Sequence, residues 1–122
     1  WRCYAALHLD VKGKEDVSKG IGYLIKAYHS AALHIEKSLD DFLKCVECSK
    51  VLHKYVLQES KESPTYAQHL QSLKSILQIL ITKGNRLVVT LDEGSEAREV
   101  SLEYVNEASK HLEEVEEAQL YV

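Results

Sequence analysis

The sequence predicts an all-α fold: an antiparallel helical bundle of four long helices plus a short N-terminal helix. Three observations carry this. Apolar residues recur at alternating steps of three and four in three separate stretches, the spacing of a helix face buried against other helices. Glycine numbers 5 and proline 1 in 122 residues, too few turn-formers for a chain of short strands. Helix-capping residues stand at the boundaries of the stretches, at Ser38, Ser63-Pro64 and Ser95.

The stretch from Ser63 to Asp92 organises the rest. Leu70, Leu73, Leu77, Leu80, Leu87 and Leu91 form a heptad stripe, with Gly84 in its one gap. Ser63 is expected to cap this helix and Pro64 to occupy its first position, where a missing N–H costs nothing. Lys83-Gly84-Asn85 reads as a stop signal, yet the leucine phase survives it. The segment Leu87–Leu91 has β propensity, but a lone strand would have no partner, so helix is the expectation there.

The other elements follow in chain order. Trp1 to Val11 reads as the short helix, ended by Lys12-Gly13-Lys14. The next is capped by Asp16 and carries Val17, Ile21, Leu24, Tyr28, Ala31 and Ile35, widened by Ile25 and Ala32. Gly20 and Gly22 in it would let a neighbouring helix approach closely. No glycine or proline separates this helix from the next, and a single rod over residues 16–60 would be about 67 Å long. A compact domain of this size requires a break, and Ser38 with Asp41 three residues on resembles a capping box. The break is therefore expected at 36–38. The helix beyond it carries Leu39, Phe42, Leu43, Val46, Leu52, His53 and Val56, and fades into a polar linker. Glu93-Gly94-Ser95 is the clearest turn. Ser95 caps a last helix with Val105, Ala108, Leu112, Val115 and Val122 on its stripe.

Composition narrows the function classes. The net charge is −4 and no basic patch is present, which argues against nucleic acid. No apolar run approaches the roughly 20 residues of a membrane span. The three cysteines are an odd count, read as free thiols in a reducing compartment, so cytoplasm or nucleus is expected. The chain has no methionine and is helical in character at both ends. The expectation is a single domain over residues 1–122, cut from a longer protein.

No catalytic motif stands out, and neither metal nor cofactor is expected. Cys45-Val46-Glu47-Cys48 has the spacing of zinc and redox sites, but lacks a second ligand pair and a strand-to-helix junction. Two small residues three apart on a helix are read as core packing. His53 falls on an apolar stripe and reads as a satisfied core histidine. The glutamates of the last helix read as a solvated face.

Two resemblances to known families bear on function. His34-Ile35-Glu36-Lys37-Ser38 resembles the phosphoacceptor stretch of histidine phosphotransfer domains, four-helix bundles with the pattern His-x-x-Lys-Gly-Ser. His34, Lys37 and a serine match; the glycine is missing. That resemblance implies His34 as phosphoacceptor and Lys37 as its neutralising cation. Trp1-x2-Tyr4-Ala5-x2-His8 and Gly20-x3-Leu24-x2-Ala27 resemble the two helices of a tetratricopeptide repeat. The likeness extends over roughly residues 1–50. It implies stacked helical hairpins, as also in microtubule-interacting-and-trafficking-type modules, with a groove for a peptide or partner helix.

The functional expectation is a non-catalytic protein–protein interaction or scaffolding domain. Its partner would be a protein or peptide held between helices, or a second copy of the chain. Tyr23, Tyr28, Phe42 and Tyr55 are the candidate aromatic anchors. Phosphotransfer through His34 is the alternative.

Overall fold

The computed structural model describes residues 14–35, 38–59 and 61–122. They form four helices: α1 (Lys14–Leu33), α2 (Leu39–Gln58), α3 (Tyr66–Val88) and α4 (Glu96–Gln119). No strand occurs among the described residues, so the all-α class holds. The short helix expected over residues 1–11 lies outside them.

The breaks have local causes. α1 ends at Leu33, and Ser38 caps α2 by accepting the backbone N–H of Asp41 at 3.3 Å. Ser95 caps α4 in the same way, accepting from the N–H of Arg98 at 3.2 Å, and Gly94 before it has a left-handed φ of 76°. The start of α3 differs from expectation. Residues 63–65 form a turn, and the helix begins at Tyr66. The reason is chemical: the Ser63 hydroxyl donates to the Glu59 carboxylate at 3.2 Å. The helix then runs through Gly84 to Val88, followed by a turn, so residues 89–92 are not helical.

The helices run alternately up and down. α2 and α3 form a central antiparallel pair; α1 packs against both on one side and α4 against both on the other. Ile21, Leu24, Ile25, Tyr28, Ala32 and Ile35 bring the α1 stripe into the core. Phe42, Val46, Leu52 and Val56 do so for α2, and Val105, Ala108 and Val115 for α4. Leu70, Leu73, Ile76, Leu77, Leu80 and Leu87 run through the middle of the cluster from α3. Val122 lies past the end of α4 and is exposed rather than on its buried stripe.

Among the described residues, close helix approach occurs at Gly84. A Cβ at Gly20 or Gly22 would meet no described residue within 4 Å. A Cβ at position 84 would lie 2.5 Å from a methyl of Val105 and 2.6 Å from the ring of Phe42. The break in the leucine stripe is therefore the point where α2 and α4 both close on α3.

A lysine ties the far end of α1 to α3. Lys83 Nζ donates to the carbonyl oxygens of Leu33 at 3.1 Å and Ile35 at 2.7 Å. These are carbonyls that the end of a helix leaves unpaired, and a cation there also suits the helix dipole.

Candidate functional site

The four aromatic positions separate into two groups. Tyr28 and Phe42 are buried in the core, Phe42 with no exposed surface at all. Tyr55 is partly buried and packs against the same core. Tyr23 stands open on α1 at 63% exposure. Of the four, Tyr23 is the one whose ring a partner can reach without rearranging the bundle.

By helical spacing Tyr23 shares its face of α1 with Lys26, Ser30 and Leu33. That face borders a groove between α1 and α3, about 350 Å³ in volume, lined by Ile25, Lys26, His29, Ser30, Leu33, Ser72 and Ser75. Ile25 provides a buried apolar wall, while Leu33 is exposed at the rim. The serines of α3 keep its far wall low.

His34 follows the last residue of α1 and is exposed. Its Nδ1 lies 2.7 Å from the carbonyl oxygen of Ser30. When Nδ1 carries the proton, it donates to that oxygen and the lone pair sits on Nε2. Lys37 lies outside the described residues.

Cys45 and Cys48 are buried on the core side of α2. Among the described residues no group of three His, Cys, Asp or Glu side chains is placed to hold a metal ion.

The most developed polar arrangement was not anticipated as a unit. α2 and α4 lie parallel, and their partly buried polar residues meet in matching order. Tyr104 donates its hydroxyl hydrogen to Glu47 at 2.7 Å. One turn on, Lys50 pairs with Glu107 at 2.6 Å and stands 5.3 Å from the centre of the Tyr104 ring. A turn further, His53 and His111 stack with ring centres 4.3 Å apart and planes 21° from parallel. His53 Nε2 also lies 3.0 Å from a carboxylate oxygen of Glu114. His53 is thus a buried histidine with a carboxylate beside it.

The electrostatics follow from this packing. The hydrogen bond to Glu47, with burial and the surrounding glutamates, pushes the Tyr104 hydroxyl up to about 12. Burial lowers the pKa of His53, and the neighbouring His111 lowers it further. Burial also lowers that of His111, with a contribution from Lys50. The sequence signal for this seam is Glu47, Lys50 and His53 at steps of three, matched by Tyr104, Glu107, His111 and Glu114 at steps of three and four.

A second cluster closes the α2–α3 connection. The Glu59 side chain is 7% exposed and receives Thr65 Oγ1 at 2.7 Å, Ser63 Oγ at 3.2 Å and His69 Nδ1 at 2.6 Å. Both hydroxyls donate to the carboxylate rather than to the imidazole. The serine is therefore not aligned as a nucleophile served by a histidine base.

Among known proteins, the chain matches no family model, no curated protein and no solved structure.

Proposed function

We propose that this chain is a non-catalytic protein-interaction or scaffolding domain, and that a peptide or partner helix lies in the groove between α1 and α3. The observation that carries the reading is the groove lined by Ile25, Leu33 and Ser75, beside the exposed ring of Tyr23. An aromatic anchor beside an apolar wall with a polar rim is the usual make-up of a helix- or peptide-binding face. The resemblance of the first half of the chain to stacked helical hairpins points the same way. No described helix is long and apolar enough to cross a membrane.

The test is selection of peptides from a random display library against the purified domain. Selected peptides should lose binding when Ser75→Tyr fills the groove or Tyr23→Ala removes the anchor. They should keep it with Tyr104→Phe, on the far side of the central pair. Peptides indifferent to the groove variants would overturn the reading. Light scattering over a concentration series tests the related possibility that the occupant is a second copy.

A second reading rests on one observation. The exposed imidazole of His34 is oriented by the Ser30 carbonyl through Nδ1, which leaves Nε2 for attack on a phosphoryl group. Incubation with acetyl phosphate, followed by acid-lability analysis of the labelled protein, tests it. Label that is lost in His34→Gln supports phosphotransfer; absence of label rejects it.

A further inference from the structure

Charge is divided unevenly between the two flanks of the bundle. Asp and Glu make up 19 of the 122 residues. α3 contains neither, and its cations are Lys74, Lys83 and Arg86. Residues 20–35 contain neither, and their cation is Lys26. Glu15 and Asp16 belong to the opening of α1, more than two turns before Ile25. α4 is the opposite, with eight glutamates against Arg98 and Lys110. The groove between α1 and α3 is therefore walled by acid-free stretches, in a chain whose net charge is −4.

The lysines on the two sides are used differently. Lys44, Lys50 and Lys74 pair with Asp40, Glu107 and Glu116. Lys26 lines the groove and is exposed, and no carboxylate among the described residues pairs with it. Two turns on, at the Leu33 end, Lys83 Nζ donates to the carbonyls of Leu33 and Ile35, which uses two of its three N–H groups. Two ammonium groups thus mark positions about 10 Å apart along α1, with the apolar wall of Ile25 and the exposed side chain of Leu33 between them. Ser30, Ser72 and Ser75 complete the lining without adding charge.

Resting on the proposal that this groove takes a peptide or partner helix, we infer that its occupant is an acidic amphipathic segment of another protein. Its apolar stripe sits against Ile25, Leu33 and Tyr23, and Asp or Glu residues about two turns apart face Lys26 and Lys83. The sign of the charge selects the side. The cations draw such a segment to the α1–α3 flank, and the glutamates of α4 repel it from the other, so charge sets register and specificity while the apolar contacts hold the segment in place. A nucleic acid fits the same surface poorly. Its phosphates call for closely spaced cations, and here two of them stand two turns apart across apolar side chains.

The test uses the whole chain and a display library of helical peptides, with a fixed apolar stripe and random residues beside it. Groove binders are those lost with Ser75→Tyr. They should carry an excess of Asp and Glu at the random positions. Their affinity should fall roughly threefold in Lys26→Gln, which removes one partly exposed attraction, and roughly tenfold in Lys26→Glu, which adds a repulsion. It should also fall as salt rises from about 50 to about 300 mM. Groove binders with neutral or basic flanks, or acidic ones indifferent to Lys26→Glu, overturn the acidic occupant and leave the groove as a peptide site. If no selected peptide responds to Ser75→Tyr, the groove itself is not the site and the acidic occupant falls with it. Self-association that both Ser75→Tyr and Lys26→Glu abolish in light scattering gives the groove to a second copy and overturns the foreign partner. Binding of a homopolymeric RNA that is lost in Lys26→Glu overturns it as well.

Discussion

Phe42 and Gly84 fit together as ring and recess. The side chain of Phe42 is fully buried, and a Cβ on residue 84 would come within 2.6 Å of its Cζ and 2.8 Å of its Cε1. Glycine at this place in α3 sacrifices helix propensity so that α2 can seat its one phenylalanine.

Gly84→Ala should therefore destabilise the domain, although alanine is the better helix former by about 1 kcal/mol. Overpacking of this kind costs about 1–3 kcal/mol, so a net loss is expected in urea unfolding. Phe42→Leu in the same chain should relieve part of it, giving a double variant less damaged than the sum of the two. An increase in the midpoint for Gly84→Ala alone would show that the recess can widen freely.

Lys83→Met keeps the aliphatic stem and removes the cation that donates to the carbonyls of Leu33 and Ile35. A loss of about 1–2 kcal/mol is expected, from charge-assisted bonds that are partly open to water. Hydrogen exchange should place the effect in the last turn of α1 and spare α4. An even spread over the helices would contradict the local role.

Glu59→Ala removes the common acceptor of Ser63, Thr65 and His69. The part-buried donors left behind make this costly, about 1–3 kcal/mol. The 59–65 connection should become a site of rapid cleavage in limited proteolysis. If Glu59→Ala is as resistant as wild type, the cluster does not hold the turn.

Tyr104 gives a signature at high pH. Its hydroxyl is held protonated up to about 12 by Glu47, burial and the surrounding glutamates, so ultraviolet titration should show a late phase that belongs to Tyr104. Tyr104→Phe should delete that phase. The folded-state value is raised, so its contribution to stability is complete below pH 10 and is lost as pH rises from 10 to about 12.

Much of the fold was legible in the sequence because the signals were local. Ser38 and Ser95 carry their caps within three residues, and the leucines of α3 declare their buried face by spacing alone. What was not legible depends on elements that meet only after folding. Gly84 in isolation is a helix breaker; it becomes a recess once Phe42 and Val105 arrive from two other helices. Ser63 before proline reads as a cap until Glu59, just past the end of α2, takes its hydroxyl hydrogen. Tyr28 and Phe42 could be read as interface anchors, since an aromatic on a helical stripe serves a core equally well. The polar seam needed the relative register of α2 and α4, residues more than fifty positions apart, which no window along the chain contains.

α1 and α4 flank the central pair and barely meet each other. Among the described residues, the helices are in effect two three-helix units that overlap by sharing the α2–α3 hairpin. A change on one outer helix reaches the other only by displacing that hairpin, and so the two flanks are free to vary separately. Substitutions that face outward on one flank therefore leave the packing of the other in place as long as the shared hairpin holds its position.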